Sequence, residues 1–460
     1  MIFNVEMETV PREQLQVLQL ERLRRTVKRA YYNVPFHRTA LDRCGLTPDD
    51  IQSQDDLKRL PFMRKSDLRK HYPFGLFSAR MKEIVRLHGS SGTKGKPVVV
   101  GYTKQDIETW AEIVARAICC AGGRPGDIFH NAYGYGLFTG GLGLHYGIER
   151  LGAVAVPVSG GNTYRQIMLI QDFKPRGLSG TPSYILNLVE EMRKQGINTR
   201  ETSIEYGIFG SEPWSEEMRS HLEDALGIKA LDIYGLSEVL GPGVAIECCE
   251  AQDGLHIAED HFLAEVIDRE TGETLPFGKE GELVFTSLTK EAFPVIRYRT
   301  GDIASLDPGL CKCGRTTMRM SRVKGRVDDM LIIRGVNVFP TELEAVLLSF
   351  DQLAPHYQVA IERDNALDRF EVHCEVTPEY RNRVGGVEEN KEVAELVKDM
   401  GKAIKSSLGV SVVLHVNEPN NIARSEGKAV RIVDNRRRSA AIQEGKGGKR
   451  DDEALYPAIV

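Results

Sequence analysis

The chain has 460 residues and a formal net charge of −5, a length that suits two to four domains of about 100–200 residues each and a charge that implies no nucleic-acid surface. No apolar run reaches the roughly 18 residues of a membrane span, and the start Met1-Ile2-Phe3-Asn4-Val5-Glu6 lacks the basic and apolar blocks of a secretory signal. The cytoplasm is therefore the expected compartment, and the eight cysteines are expected to be thiols or metal ligands rather than disulfides.

Leu15, Leu18, Leu20, Leu23, Val27 and Ala30 recur at helical spacing and predict a helix from Pro11 to about Asn33. A mixed helical stretch, Leu57 to Lys70, is broken at Pro61. Then comes the loop Ser90-Ser91-Gly92-Thr93-Lys94-Gly95-Lys96-Pro97, anchored to an apolar run, Val98-Val99-Val100, that reads as a strand. Its small residues let backbone N–H groups approach an anion, and its hydroxyls and lysines add donors. By composition alone such a stretch is most often a solvated linker. It is not a Walker loop, because Pro97 follows Gly95-Lys96 and the earlier glycine is missing.

Thr103, with Asp106 behind it, caps a helix running to Cys120 and stopped by Gly122-Gly123. Tyr133 to Gly141 sets Tyr133, Tyr135 and Phe138 among glycines. That pattern suits either a turn with core rings or a pocket wall for a flat apolar ligand. Strands at Ala153–Val158, Ile204–Phe209 and Ile228–Ile233 then alternate with helices at Asn162–Phe173, Thr181–Lys194 and Trp214–Leu226. Such alternation predicts parallel α/β layers. From about Gly254 to Thr300 short strands and turn signals predict a β-rich subdomain. Past a hinge near Arg326-Val327-Asp328-Asp329 a smaller α+β unit is expected. It has strands around Met330–Ile333, Gln358–Arg363, Glu371–Val376 and Val412–Val416, and a long helix from about Val387 to Ser407. The fold expected is thus a large N-terminal domain, 1–327, with a β-rich part at about 245–327. A small mobile C-terminal domain, 328–435, and a polar tail, 436–460, complete it.

Several turns share one location in such a fold. Gly210-Ser211-Glu212-Pro213 and Asp232-Ile233-Tyr234-Gly235-Leu236-Ser237-Glu238 follow strands, at the ends where parallel sheets present ligands. Tyr234 suits stacking on a base, Ser237 a phosphate and Glu238 a magnesium ion. Asp302, in Arg299-Thr300-Gly301-Asp302, suits a pair of ribose hydroxyls, and Lys428, in Ser425-Glu426-Gly427-Lys428, suits a lysine carried into the site by a mobile domain. Each motif alone is an ordinary turn.

In order and spacing, from Ser90 to Lys428, these motifs together resemble the adenylate-forming superfamily of acyl-CoA ligases. Within it the stretches Tyr133–Gly143, Gly210–Trp214, Asp232–Gly243, Phe293–Asp302 and Asp328–Pro340 resemble the phenylacetate–CoA ligases most closely. The resemblance covers nearly all of residues 10–435. It implies that Ser90 to Lys96 (Ser90, Ser91, Gly92, Thr93, Lys94, Gly95 and Lys96) closes over the β- and γ-phosphates of ATP. Gly210, Ser211, Glu212 and Pro213 line the adenine, Tyr234 stacks on it, and Asp232, Ile233 and Gly235 complete the nucleotide site. Ser237 touches the α-phosphate, Glu238 binds Mg²⁺, and Asp302 holds the ribose beside Arg326. Tyr133, Tyr135, Phe138 and Gly235 border an aryl acid. Asp328 is the hinge, Arg334, Gly335 and Asn337 line a CoA channel, and Lys428 bridges the substrate carboxylate and α-phosphate.

The implied activity is ATP-dependent ligation of phenylacetate, or a close aryl acid, to CoA through an acyl-adenylate. The partners are small molecules, with no nucleic acid or membrane, and a homodimer is left open. Two alternatives stand beside it: an aryl-acid adenylating enzyme loading a carrier protein, and a non-catalytic nucleotide sensor on the same fold.

Cysteines remain. Cys311-Lys312-Cys313 and Cys248-Cys249 with His256 lie in the β-rich region, and four Cys and His ligands suit a closed structural Zn²⁺ site. Some members of the resembled family are similar in carrying zinc there. The expected ligands are Cys248, His256, Cys311 and Cys313, with Cys249 as alternate, against free thiols.

Overall fold

The computed structural model describes residues 1–90, 97–333, 336–364, 367–424, 427 and 429–435. The expectations on residues 91–96, Arg334, Gly335, Lys428 and the tail 436–460 lie outside the described residues, as does that on the Asp328 side chain. The chain forms two compact units. One is Met1–Met330 joined by Gly427 and Ala429; the other is 331–424 with 430–435.

The large unit is built on a nine-stranded sheet. Its strands lie in the order Leu306–Asp307, Arg319–Met320, Leu255–Ile257, Gly241–Glu247, Lys229–Leu236, Tyr206–Gly210, Gly177–Gly180, Ile128–Asn131 and Val154–Val156. The last five run parallel, and each junction among the other strands is antiparallel. Parallel strands are buried on both faces, which is why Tyr206–Gly210 and Gly177–Gly180 have no exposed residue. The β-rich stretch divides. Half of it extends the main sheet, while Phe262–Ile267, Gly281–Ser287, Tyr298–Ala304 and Gly325–Arg326 form a separate antiparallel sheet.

Helix Lys104–Cys120 starts as its cap predicts. Thr103 Oγ1 accepts the Asp106 N–H at 3.1 Å, and the Asp106 carboxylate accepts the Thr103 N–H at 2.9 Å. Within the Tyr133–Gly141 stretch begins a helix, Thr139–Leu151, that its own glycines disguise. Those glycines serve packing rather than a turn. A Cβ at Gly147 would lie 2.2 Å from Val114 and one at Gly143 2.5 Å from Trp110, so only glycine lets this helix approach helix Lys104–Cys120. Trp110, Phe129, Ile208, Leu231 and Phe285 belong to the core beneath.

In the small unit the sheet runs Val413–Asn417, Leu367–Val376, Leu353–Asp364, Ile432–Asp434, antiparallel at its centre and parallel at both flanks. Val359, Ile361, Phe370 and Val372 pack against Val393, Met400 and Ile404 of helix Lys391–Leu408. That helix begins four residues later than its periodicity predicts, because the Asn390 side chain caps the N–H groups of Glu392 and Val393. Among the described residues no helix is long and apolar enough to cross a membrane.

Candidate active site

The turns singled out in the sequence sit at the ends of neighbouring strands. Tyr206–Gly210 and Lys229–Leu236 lie side by side in parallel, so Gly210 to Pro213 and Tyr234 to Glu238 emerge from the same edge of the sheet. At Gly210 a Cβ would stand 2.4 Å from the Ile233 carbonyl oxygen, so glycine is needed for the strands to pair. Ser211 then takes φ +70°, a left-handed conformation costly for a side-chain-bearing residue. The Glu212 carboxylate accepts the N–H of Ser183 at 2.8 Å and of Ala429 at 3.3 Å. It thereby caps helix Pro182–Lys194, whose N-terminus favours an anion. Gly427 reaches the same place: its carbonyl accepts from the Thr181 hydroxyl at 2.8 Å and the Ser183 hydroxyl at 3.3 Å. The residues flanking Lys428 are thus anchored beside Glu212.

Asp302 is the centre of a second cluster. The Tyr234 hydroxyl donates to its Oδ2 at 2.6 Å, and Arg326 Nε lies 3.3 Å from its Oδ1. Strand pairing brings this about, since Asp302 and Arg326 are direct partners in the smaller sheet. Burial pushes the Asp302 carboxyl up, an effect that Arg326 opposes, and burial beside Asp302 pushes the Tyr234 phenol well above its usual value. The Tyr234 ring stacks on Phe285, with centroids 6.0 Å apart and planes 28° from parallel. One of its faces is therefore already occupied by the protein.

Next along the strand, the Ser237 hydroxyl lies 3.1 Å from that of Thr139, and Glu238 is 6% exposed. Asp232 is held by structure instead: Arg322 Nε lies 3.3 Å from its carboxylate, and its N–H donates to Glu247, itself doubly bonded by Arg219. Tyr133 is buried. Burial, reinforced by Asp232 and Glu212, pushes its phenol well above the usual value. The Tyr135 hydroxyl accepts from Asn131 at 2.8 Å, and burial pushes it up to about 12. Leu137 and Phe138 are half exposed. In the small unit, Asn337 is exposed on strand Val336–Val338.

Of the phosphate-loop expectation, the arms and Ser90 are described. Ile84–Gly89 and Val99–Thr103 pair antiparallel, and the Ser90 N–H donates to Val98 O at 2.9 Å, closing the neck of a hairpin. The Ser90 hydroxyl is buried and has no partner among the described residues.

The four expected metal ligands converge. One donor atom each from Cys248, His256, Cys311 and Cys313 all lie within 4.8 Å of one another. Cys248 and Cys311 sulfurs are 3.6 Å apart, and Cys313 Sγ is 3.3 Å from His256 Nε2. His256 Nδ1 is 3.0 Å from the Thr317 hydroxyl, which orients the ring. Cys249 is not in the cluster.

One residue at the site has no signal in the sequence. Lys290, in a polar turn that reads as exposed, is 3% exposed and contacts the carbonyls of Ser237 and Glu238.

Residues 66–289 match the family model for AMP-binding enzymes, and residues 335–436 match that for the AMP-binding enzyme C-terminal domain. The chain is 52% identical over 440 residues to a phenylacetate-coenzyme A ligase of Thermus thermophilus, covering 94% of this chain and 99% of that one. It is 54% identical to another from Aromatoleum evansii, covering 93% and 96%. Among solved structures it is similar to a 2-hydroxyisobutyryl-CoA ligase in its postadenylation state. That likeness has a TM-score of 0.87 at 29% identity, over 95% of this chain and 93% of that chain. With parallel α/β layers, the paired strand-end turns and this end-to-end likeness, the chain belongs to the phenylacetate–coenzyme A ligase family of AMP-binding enzymes.

Proposed function

We propose that the protein joins phenylacetate, or a close aryl acid, to CoA with cleavage of ATP to AMP and pyrophosphate. The observation that carries this is the identity above 50% to phenylacetate-coenzyme A ligases across nearly the whole chain. The acid's carboxylate attacks the α-phosphate and pyrophosphate leaves. The CoA thiol then attacks the acyl carbon and AMP leaves. Neither step needs a protein nucleophile.

In this scheme the Ser90–Lys96 loop receives the outer phosphates, and Gly210, Ser211, Glu212 and Pro213 border the adenine with Tyr234. Asp232 acts from behind, fixing the strand through Arg322 and Glu247. Asp302, already neutralised on one side by Arg326, accepts the ribose hydroxyls, and Ser237 meets the α-phosphate. Tyr133, Tyr135, Phe138 and Gly235 border the aryl ring. Lys428 stabilises the charge that develops during adenylation. Asp328 is the hinge of the small unit, whose Arg334, Gly335 and Asn337 serve CoA. A buried carboxylate at the end of a strand suits a hard cation, so Glu238 would hold Mg²⁺, which supplies charge neutralisation to the triphosphate.

Cys248, His256, Cys311 and Cys313 would hold a structural Zn²⁺. Bond lengths near 2.3 Å to sulfur and 2.0–2.1 Å to nitrogen in a tetrahedron put ligands about 3.5–3.8 Å apart. The 3.6 Å sulfur pair falls within that spacing, and the 3.3 Å sulfur–nitrogen pair is about 0.2 Å short of it. The enzyme works in the cytoplasm, where ATP and CoA are at hand, and a homodimer is the assembly to look for.

The test is acid-dependent pyrophosphate release with Mg²⁺ and ATP, across phenylacetate, ring-substituted phenylacetates, benzoate and a fatty acid, with and without CoA. Preference for phenylacetate with thioester formation is expected. Release with an aryl acid but no CoA thioester would point to a carrier-protein acceptor, and no release with any acid to a nucleotide sensor. Lys428→Ala is expected to lose acid activation while thioester formation from supplied acyl-adenylate survives; equal loss of both half-reactions would remove the role given to Lys428.

A further inference from the structure

Three buried donors grip one short segment. The Lys290 ammonium lies 3.3 Å from the Glu238 carbonyl and 3.5 Å from that of Ser237. The Tyr102 hydroxyl donates to Leu240 O at 2.7 Å, and the Trp110 indole N–H to Pro242 O at 3.0 Å. Carbonyls 238, 240 and 242 are thus each fixed by a separate side chain. Those side chains are fixed in turn. Tyr102 and Trp110 stack 5.1 Å apart, 13° from parallel, and Lys290 sits over the rings of Tyr102 and Phe293 at 4.8 and 5.2 Å. The Asp106 carboxylate, besides capping its own helix, accepts the N–H groups of Glu291 and Ala292 at 2.6 and 2.9 Å and so sets the backbone next to Lys290.

An ammonium is costly to bury, and its charge here meets carbonyl dipoles and ring faces rather than a carboxylate in contact. Packing alone would be served at lower cost by methionine or leucine. What lysine adds is a positive charge and directed donors immediately behind the turn that carries Ser237 and Glu238. We propose that Lys290 is a positioning residue for adenylation: by holding the carbonyls of Ser237 and Glu238 it aims the Ser237 hydroxyl and the Glu238 carboxylate at magnesium-bound ATP. Tyr102 ties the same segment to strand Val99–Thr103, which follows the expected phosphate loop in the chain. This role rests on the turn meeting the nucleotide, as proposed above.

The test compares wild type, Lys290→Met and Lys290→Arg in the full chain. The readouts are melting temperature, calorimetric affinity for a magnesium-bound non-hydrolysable ATP analogue, the free Mg²⁺ giving half-maximal pyrophosphate release, and thioester formation from supplied acyl-adenylate. Lys290→Met is expected to fold, to bind the analogue about tenfold more weakly, the loss of one charge-assisted contact, and to need more Mg²⁺. Thioester formation should be spared, and Lys290→Arg should recover most of the affinity. A folded Lys290→Met with wild-type analogue affinity and Mg²⁺ dependence would overturn the proposal. If Lys290→Met does not fold, Lys290→Gln, which keeps a donor on a neutral arm, takes its place under the same criterion. Wild-type protein that binds the analogue but activates no acid would refute the assigned reaction while leaving the affinity comparison decisive for Lys290.

Discussion

Histidines in the two units live under opposite conditions. In the large unit His37, His130 and His256 are buried and each ring has a fixed partner: His37 Nε2 at 3.3 Å from Pro294 O, His130 Nε2 at 3.0 Å from Gln166, His256 between Thr317 and Cys313. In the small unit His373 and His415 face each other across parallel strands on an open sheet face, side chains 34% and 39% exposed, with rings 4.4 Å apart and 11° from parallel. Glu371 lies 3.7 and 3.4 Å from them. Donor atoms of this trio come as close together as those of the Cys248 cluster. Proximity alone therefore does not separate the cluster proposed to hold zinc from this surface trio. A nitrogen lone pair lies in its ring plane, so stacked rings send their lone pairs side by side instead of to one point, and the Arg369 guanidinium already holds Glu371. Burial, aim and an orienting partner mark out the large-unit cluster.

The largest effect that would break this contrast is on metal. Cys313→Ser is expected to take the chain from one bound zinc to nearly none by elemental analysis, and to destabilise the large unit by about 4 kcal/mol, the range of a lost structural metal. His415→Ala should leave metal content unchanged. Equal zinc in wild type and Cys313→Ser would leave the four residues as a thiol cluster.

A middle-sized effect sharpens the contrast through pH. Burial lowers the His37 pKa to about 4, against 6.5 in the unfolded chain. The folded state thus favours the neutral ring, so the contribution of His37 is complete above pH 6.5 and is lost as pH falls toward 4, when the unfolded chain takes up a proton first. The slope approaches about 1.4 kcal/mol per pH unit in that window. Replacing His37 by Gln should flatten the dependence of the urea midpoint on pH between 7.5 and 4.5. Parallel wild-type and His37→Gln curves would place the acid sensitivity elsewhere.

Much of this molecule was legible in its sequence, for identifiable reasons. Local signals worked where the chain punctuates itself: the Thr103–Asp106 cap and Pro182 start their helices where expected. They failed where packing overrides propensity, as at helix Thr139–Leu151, whose glycines are there to admit Val114 and Trp110. Strand Gly177–Gly180, four residues with Leu178 as the one large side chain, offers no periodicity to read. Of the expected site residues, Asp302 and Arg326 were read side by side and do pair, while the Tyr234 hydroxyl bond to the same carboxylate had no signal in the sequence. The four zinc candidates, two pairs separated by about sixty residues, also converge. Lys290 was invisible, because a lysine in Thr289-Lys290-Glu291 looks solvated until Tyr102, Phe293 and Asp106 are brought around it from far along the chain.

The smallest effect tests the exposed pair itself. The His373 pKa is lowered first by partial burial and then by the His415 ring that faces it at stacking distance, while Glu371 pulls the other way. Removing His415 deletes the repulsion and leaves the carboxylate, so His373 should titrate at higher pH in His415→Ala, followed by the ring proton resonance. Stability at pH 8 should change by no more than about 0.5 kcal/mol, as for other surface substitutions. The two results belong together. A shifted His373 midpoint with unchanged stability describes a solvated pair coupled only through charge. An unmoved midpoint would mean that solvent screens the rings even at contact, and that the open sheet face, unlike the interior around His37, imposes almost nothing on the chemistry of its side chains.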